Sequence, residues 1–405
     1  MKIGMLGFGT VGRAVYENYS GSLSDLNAMI EIAFVRSKND SRVQGFPDVA
    51  FTTDPMNVVS NRQLDIIVDV MGNTELAKKL VEEAFKNKKH VVTANKELVE
   101  KYGLALQKVA AEYDVLFLYE ASVGGGVPII RNLKQHLIGK DVSTIVGIIN
   151  GTSNYVLSLM TRANFNFAEA ISMAQLKGFA EKAYDNDING YDARSKLIIL
   201  ARTMWRIEVL RSDICTIGIS NVSKNLINDI RRRGYALKPL VLAKKRDELN
   251  YSMIVAPFLI PLDSDFSRVN DEYNVVKILG NQIQEMTFSG PGAGGPATAV
   301  SVFSDLSYLL SINKCGINTS NDKIIKVESV DSPEFNIFAE FYYDNTDCVS
   351  ELLTKSDMRF SDLQNIKGTV SVVLKNIRIK PAEEKLKRIA GINNSSIVLY
   401  PILEE

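Results

Sequence analysis

The stretch MKIGMLGFGTVG, residues 1–12, joins a short apolar run to three glycines in the spacing G-x-G-x-x-G. Residues 2–6 predict a buried strand, and the glycines that follow predict a tight turn into a helix. Gly7 permits the turn, Gly9 lets the backbone approach a pyrophosphate, and Gly12 allows close packing of helix on strand. The helix N-terminus then attracts the anion. We therefore expect a dinucleotide site here rather than a tight βα turn that binds nothing.

The chain after this turn alternates between strand candidates and helical patterns. Its further apolar strand candidates are residues 30–35, 65–71, 90–94 and 115–119. Helical patterns separate most of them, notably TELAKKLVEEAFKNK (74–88) and KELVEKYGLALQKVAAEY (96–113). Such alternation is typical of an α/β fold with a doubly wound parallel sheet of the Rossmann type. We therefore assign residues 1–130 to a Rossmann-type domain.

The regular alternation of strands and helices ends after the glycine-rich stretch ASVGGGVP, residues 121–128. Longer helices mixed with strands predict a second, α+β domain over residues 131–299. A glycine loop there feeds a helix, and we expect residues 300–320 to return to the first domain. Residues 325–405 follow the order strand, helix, two strands, helix, strand, which suits a small ferredoxin-like domain.

Composition limits the classes of partner. The 405 residues are too many for one typical core, and 47 basic side chains balance 47 acidic ones. Without a basic run or a long apolar run, we expect no binding to nucleic acid or membrane. Cys215, Cys315 and Cys348 are scattered, as expected of thiols in a reducing compartment. Because a strand and a turn open the chain, we expect no signal peptide and a cytoplasmic protein.

Basic residues near the end of the second predicted strand bear on the choice of cofactor. An NAD site usually has an acidic residue there, which bonds the ribose hydroxyls. This chain has Arg36, with Lys38 close behind, and such cations would pair with the 2′-phosphate of NADP. We therefore favour NADP over NAD. The alternative, that both are solvated loop charges, stays open at this point.

Two lysines and an aspartate are candidates for the chemistry. Lys96 follows a predicted strand whose carboxyl end would face the ligand crevice. Without further evidence, a lysine at the start of a helix that is exposed to water is the favoured interpretation. Asp192 and Lys196 lie four residues apart at the head of an apolar helical run, so they share one helix face. Spacing alone favours a routine helix ion pair, worth about 0.3–0.5 kcal/mol, over a catalytic pair.

Six segments, taken together, closely resemble the homoserine dehydrogenase family. They are GFGTVG (7–12), TANK (93–96), YEASVGGGVPII (119–130), NGTSNYVLSLM (150–160), GFAEKAYDNDINGYDARSKLIILA (178–201) and GPGAGGPATAVSVFSDL (290–306). The resemblance covers residues 1–320, and its most specific block is G-F-A-E…D-I-N-G-Y-D-x-x-x-K. Where the family usually has Asp-Pro after the glutamate, this chain has Ala183 and Tyr184.

The resemblance implies a role for each residue that matches a family motif. It places the catalytic lysine at Lys196 and its aspartate partner at Asp192. It implies substrate contacts at Glu181, Asp187, Gly151, Thr152 and Lys96. Cofactor contacts are implied at Lys96, Thr74, Gly294 and, in the glycine turn, Gly7, Phe8, Gly9, Thr10, Val11 and Gly12. A monovalent-cation site for Na⁺ or K⁺, built from carbonyl oxygens and one carboxylate, is implied at Glu120, Val123, Gly125 and Val127.

The same resemblance implies an activity and an assembly. The activity is the reversible reduction of L-aspartate 4-semialdehyde to L-homoserine with NAD(P)H, in threonine and methionine biosynthesis. Lys196 would stabilise charge on the aldehyde oxygen and donate a proton. The middle domain would bind substrate and form a homodimer or higher oligomer. The C-terminal segment resembles an ACT-type regulatory domain with an amino acid such as threonine as candidate effector, although YDNTDCVSELL (343–353) replaces the usual turn.

Two alternatives stay open from the sequence. One is a non-catalytic NADP-binding regulatory protein, which would have no need of Asp192, Lys196 and Glu181. The other is a different Rossmann amino-acid dehydrogenase, which the segments NGTSNY and GYDARSK disfavour. None of these interpretations requires a catalytic metal, because the nicotinamide cofactor carries the redox chemistry.

Overall fold

The structure is a computed structural model that describes residues 1–37, 43–137, 141–312, 324–343, 346–366, 369–390 and 397–403. The predicted cofactor contact Lys38 and residues 313–320 of the segment expected to return to the first domain lie outside the described residues. The same holds for Asp344 and Asn345, in the segment that replaces the usual ACT turn. None of the helices in the described part of the chain is long and apolar enough to cross a membrane.

The N-terminal part of the chain forms a parallel sheet with helices between its strands. The strands are β1 (Lys2–Leu6), β2 (Met29–Phe34), β3 (Ala50–Thr52), β4 (Ile66–Asp69), β5 (His90–Thr93) and β6 (Phe117–Leu118). The helices are α1 (Thr10–Asp25), α2 (Met56–Val59), α3 (Thr74–Lys86) and α4 (Lys96–Glu112). The strand order is β3-β2-β1-β4-β5-β6 with parallel pairing, which confirms the predicted Rossmann-type sheet.

Two strands of this sheet differ from the prediction. Strand β3 was not predicted, because its three residues are too few to produce a recognisable apolar pattern. Strand β6 is shorter than the predicted 115–119, because the chain turns at once into a 3₁₀ segment, Glu120–Ser122.

The strand order reverses between β1 and β4, which creates a crevice at their carboxyl ends. Leu6 at the end of β1 pairs with Asp69 at the end of β4, and Asp69 pairs with Thr93 at the end of β5. The glycine turn after β1 and the segment that leads to Lys96 therefore open at the same edge of the sheet.

The middle part of the chain surrounds an antiparallel sheet. Its helices are α5 (Ile130–Gln135), α6 (Gly151–Arg162), α7 (Phe167–Leu176), α8 (Asp185–Ile188), α9 (Tyr191–Trp205), α10 (Lys224–Arg232) and α11 (Asp265–Arg268). Its strands are β7 (Val142–Ile148), β8 (Ile207–Glu208), β9 (Cys215–Thr216), β10 (Tyr235–Lys245), β11 (Asn250–Pro261), β12 (Tyr273–Gly280) and β13 (Gln284–Pro291). The order β13-β12-β7-β10-β11 is antiparallel. Helix α9 buries Leu197 and Leu200 in the same apolar cluster as Val241 and Val255 of this sheet.

Helix α12 (Gly295–Ser311) packs against α1 of the N-terminal part. The rings of Tyr19 and Phe303 stack, with centroids 4.4 Å apart and planes 7° apart. Val302 and Leu306 are fully buried in the same cluster as Met5 of β1. The glycine loop before α12 is thereby held beside the glycine turn after β1.

The C-terminal part extends the middle sheet. Its elements are β14 (Ile325–Lys326), β15 (Ser329–Asp331), β16 (Phe335–Tyr342), α13 (Thr346–Lys355), β17 (Phe360–Ile366), β18 (Thr369–Ile377), α14 (Ile379–Ala390) and β19 (Val398–Ile402). The antiparallel order β19-β16-β18-β17 continues from β11, because Ile402 pairs with Leu259 and the N–H of Leu403 donates to the Leu259 carbonyl at 3.0 Å. One sheet therefore runs through the middle and C-terminal parts.

Candidate active site

Two helices begin at the crevice with charged side chains. Helix α4 starts at Lys96, directly after Asn95, whose side-chain oxygen accepts the N–H of Leu98 at 3.0 Å and caps the helix. Helix α9 starts after Gly190, which has a φ of 79° and so allows the turn from α8. Asp192 and Lys196 lie in the first turns of α9. The fold thus brings the head of a Rossmann helix to the head of a helix from the middle part.

Asp192 bridges the two lysines. Its Oδ2 lies 2.7 Å from the Lys196 ammonium, and its Oδ1 accepts a bond from Lys96. The Asp192 and Lys196 side chains are only 10% and 13% exposed. Lys196 also donates to the carbonyl of Ile149 at 2.9 Å. The pair that spacing alone interpreted as a routine surface pair is therefore buried, and a third charge joins it from another domain.

The three charges support one another. Burial raises the pKa of Asp192, but the positive charges of Lys196 and Lys96 outweigh burial and hold this pKa well below its usual range. Burial lowers the pKa of Lys96, but the charge of Asp192 and its hydrogen bond hold this pKa above its ordinary value. Asp192 therefore stays ionised at neutral pH and cannot serve as a proton donor there.

Asn150, which was not predicted as a site residue, links the cluster to Asp187. Its side-chain N–H groups donate to Asp187 Oδ1 at 2.7 Å and Asp192 Oδ2 at 2.8 Å. Burial and the charge of Asp192 raise the pKa of Asp187, and the bond from Asn150 opposes them. The one available signal was an asparagine before Gly151, which is a typical helix N-cap. That signal gives no indication of the carboxylates.

A cavity of about 550 Å³ lies between the two helix heads and the glycine loops. Lys96, Lys196 and Glu181 line it, and Glu181 is otherwise exposed. Val11, Gly125 and Gly294 also line it. The cavity therefore joins predicted substrate contacts to predicted cofactor contacts.

Other predicted substrate residues are placed differently. Thr152 is buried, and its hydroxyl donates to the carbonyl of Phe179 at 2.7 Å. This bond fixes the segment that leads to Glu181, and the contact of Thr152 with substrate stays a prediction. Gly151 is buried at the start of α6, beside the backbone of Glu272. Asp187 is half-buried behind Asn150 and is not among the residues that line the cavity.

The glycine turn fits a dinucleotide. Gly7 has a φ of 104°, which a side chain would strain, and a Cβ on Gly12 would stand 2.7 Å from the Gly7 carbonyl oxygen. A Cβ on Gly9 would have no atom within 4 Å, so a ligand can approach the backbone there. Gly9 caps the sixteen-residue helix α1 without a side-chain bond, which leaves the first N–H groups for an anion.

The remaining cofactor candidates surround this turn. Arg36 is exposed and lines a cavity of about 450 Å³ with Gly7 and Gly9. It also lines a cavity of about 700 Å³ that includes Thr74, whose hydroxyl donates to Glu97 at 3.1 Å. Phe8 lines the smaller cavity as well, while its ring is buried and packs edge-on against Tyr16, Phe46 and Phe51. Thr10 begins α1 and packs closely against Gly295, where it would obstruct a Cβ.

The residues of the predicted cation site are engaged in other bonds. The Glu120 carboxylate accepts the backbone N–H groups of Ile129, Ile130 and Arg131 at 2.7–2.8 Å, at the start of α5. The carbonyl of Gly125 accepts the hydroxyl of Ser301 at 2.5 Å. Val123 and Val127 are fully buried. The Glu120 carboxylate therefore fixes the start of α5, and the cation site stays a prediction.

Comparison with known proteins identifies the family. A family model described as homoserine dehydrogenase matches residues 128–307, and one described as its NAD-binding domain matches residues 7–120. The chain belongs to the homoserine dehydrogenase family. The homoserine dehydrogenase of Synechocystis sp. is 38% identical over 330 residues, which are 80% of this chain and 75% of that protein. That of Lactococcus lactis is 28% identical and covers 96% of both chains.

A solved structure agrees over the whole chain. The homoserine dehydrogenase of Thiobacillus denitrificans superposes with a TM-score of 0.89 at 27% identity, covering 100% of this chain and 98% of that one. The chain is thus a homoserine dehydrogenase-family oxidoreductase that acts on a CH–OH group and has an NAD-binding domain. Both sequence alternatives, the non-catalytic regulator and a different amino-acid dehydrogenase, are thereby set aside.

Proposed function

We propose that Lys196 is the general acid that this homoserine dehydrogenase uses to convert L-aspartate 4-semialdehyde to L-homoserine. The observation that carries the proposal is the buried Lys96–Asp192–Lys196 cluster beside the cavity. An ammonium group has three N–H donors. Asp192 and the Ile149 carbonyl take two from Lys196, and we assign the third to the aldehyde oxygen.

The roles of the charged side chains follow from the charge that develops. When bound, the nicotinamide cofactor would supply the hydride, and negative charge would then develop on the aldehyde oxygen. Lys196 stabilises that charge and gives up a proton to form the hydroxyl. In the reverse direction it takes the proton back. Asp192 holds the ammonium in place, because a permanent carboxylate in a buried site fixes its partner.

The substrate is an amino acid, so its other two groups need partners of opposite charge. Glu181 lines the cavity with its carboxylate exposed, which suits the substrate ammonium group. We assign Asp187 to a second acidic contact with the same ammonium group. Lys96 lines the same cavity and suits either the substrate carboxylate or the field at the reacting oxygen.

For the cofactor we propose NADP, which Arg36 supports by its place after β2 beside the glycine turn. The proposed reaction needs no bound metal ion. For the C-terminal part, the strand order β19-β16-β18-β17 with helices α13 and α14 supports an ACT-type regulatory module. We propose that it binds an amino-acid effector such as threonine, that the chain is a dimer or higher oligomer, and that it serves threonine and methionine biosynthesis in the cytoplasm.

The direct test follows NADPH absorbance after addition of aspartate semialdehyde. Lys196→Ala should lower kcat by about 10³-fold or more, because it removes both the proton and the charge, while NADPH binding stays near normal. Lys196→Arg keeps the positive charge but does not readily give up a proton. Its kcat should therefore lie between those of the wild type and Lys196→Ala. Lys79→Ala, an exposed lysine on α3, is the control. Near-normal turnover in Lys196→Ala would remove this residue from the mechanism.

A further inference from the structure

Asn150 connects two acidic residues of the active site, Asp187 and Asp192. We propose that Asn150 is a positioning residue that keeps the Asp187 and Asp192 carboxylates apart and ionised, so that the site holds the cationic end of the substrate. This inference rests on the proposed function. Its basis is one buried amide, 4% exposed, that donates to both carboxylates at 2.7 and 2.8 Å.

The orientation of the amide is fixed by the fold. Asn150 precedes α6, and its Oδ1 accepts the backbone N–H of Ser153 at 2.7 Å as the helix N-cap. The hydroxyl of Ser153 lies 2.7 Å from the same oxygen. A flipped amide would lose these contacts and turn an oxygen toward two carboxylates. The N–H groups must therefore face Asp187 and Asp192.

The two carboxylates are not equally supported by cations. Lys196 from α9 and Lys96 from α4 bond Asp192 directly. The same two charges act on Asp187 only through space, whereas the charge of Asp192 and burial work against its ionisation. The amide of Asn150 donates directly to Asp187. Removing that donor should let Asp187 take up a proton at higher pH, since a hydrogen bond to the charged form favours that form.

Substitutions at Asn150 can separate this role from helix capping. Asn150→Ser keeps a good N-cap, but its hydroxyl is too short to reach both carboxylates. Asn150→Ala loses the cap and the donors together. Asn150→Asp keeps the cap, loses the donors and adds a third carboxylate. A residue that only caps the helix would show a defect in Asn150→Ala alone.

The experiment measures kcat and KM for homoserine oxidation between pH 5 and pH 10 in the full chain. In Asn150→Ser we expect the acid limb of kcat/KM to move up by about one pH unit, with KM about tenfold higher on the acid side. The melting temperature should stay close to wild type. Asn150→Asp should move the limb further in the same direction.

The outcomes are separable from a failure of the proposed function. An Asn150→Ser enzyme with the wild-type pH profile would overturn the inference, whatever Lys196→Ala shows. In an Asp187→Asn background, Asn150→Ser should add no further shift of the limb, because the group that it supports is gone. If Asn150→Ser shifted the acid limb as much in this background as in the wild type, the shift would not arise from Asp187. Should Asn150→Ser not fold, Asp187→Asn alone decides, since an unchanged acid limb there contradicts the inference.

Discussion

Asp192 contacts two lysines from different helices, and this decides what charge a substrate oxygen would meet. One carboxylate between two ammonium groups gives this trio a net positive charge, and its Lys96 and Lys196 both line the cavity wall. In an isolated pair of the same residues on an exposed helix, water would screen the charges, and their interaction would contribute little free energy. Burial of this trio makes its field strong and its geometry fixed. The chemistry proposed for Lys196 depends on that burial.

At the residue scale, Arg36 carries the prediction of cofactor preference. Arg36→Ala should raise the Kd of NADPH by about ten- to a hundredfold, because a charge-assisted bond to the 2′-phosphate is lost. The Kd of NADH should change little, and Arg36→Asp should shift the preference toward NADH. Lys101→Ala is a matched control, since Lys101 lines the same larger cavity but is paired with Glu75. Equal effects on both cofactors in a fluorescence titration would show that Arg36 does not contact the 2′-phosphate.

Elements rather than single residues explain which parts of the site the sequence could predict. The glycine turn and the strands β1, β2, β4 and β5 follow from contiguous patterns, because a buried parallel strand is a continuous apolar run. The Lys96–Asp192 contact joins residues that are 96 positions apart. No periodicity links a Rossmann helix to a helix of another domain. Spacing therefore predicted the Asp192–Lys196 helix pair, but not its burial, its third member or the bridging amide of Asn150.

The ends of β4 and β5 form one hydrogen-bonded unit that sets the start of α4. Asp69 accepts the Met71 N–H at 3.1 Å and the Thr93 hydroxyl at 2.8 Å. The Thr93 hydroxyl oxygen accepts the Asn95 N–H at 3.0 Å, and the Asn95 side chain donates to the Met71 carbonyl at 3.2 Å. Lys96 follows directly. The position of this lysine thus depends on a carboxyl group that is fully buried.

This unit predicts a pH dependence of stability. Burial raises the pKa of Asp69 to about 6, against hydrogen bonds that lower it. Because the folded pKa lies above the ordinary value of 3.8, the folded state favours the protonated form. The stabilisation of the folded state by the protonated Asp69 carboxyl group is therefore fully present below pH 3.8, and it is lost as pH rises through about 6. Asp69→Asn keeps the shape without the titration, so from pH 4 to pH 7 it should gain about 2–3 kcal/mol over wild type.

Urea unfolding of both proteins at several pH values measures this difference. Asp25→Asn, an exposed carboxylate on α1, controls for the general effect of charge. A constant difference between Asp69→Asn and wild type across the range would show that Asp69 titrates normally. A difference of the opposite sign would mean that an unseen cation holds the carboxylate ionised.

At the scale of the whole molecule, the C-terminal part shares its core with the middle part. Phe258 of β11 packs edge-on against Phe335 of β16, with ring centroids 5.3 Å apart. Phe258, Ile337 and Leu353 belong to one buried apolar cluster. A second cluster contains Leu259 together with Phe338 and Ile402. Both clusters thus cross from β11 into the C-terminal strands, and the sheet crosses with them.

Deletion of residues 325–405 should therefore destabilise the rest of the chain, although every residue that lines the 550 Å³ cavity lies between Val11 and Thr298. The deletion leaves the Leu259 carbonyl unpaired and exposes Phe258, which is fully buried in the intact chain. We expect the melting temperature to fall by more than about 10 °C, with partial precipitation, while the soluble fraction keeps its kcat. Phe335→Ala, which removes a single ring from the same contact, should lower the melting temperature by only a few degrees. Calorimetry and turnover measured on one preparation test this prediction. An unchanged melting temperature after the deletion would mean that the shared clusters contribute nothing to the stability of residues 1–324.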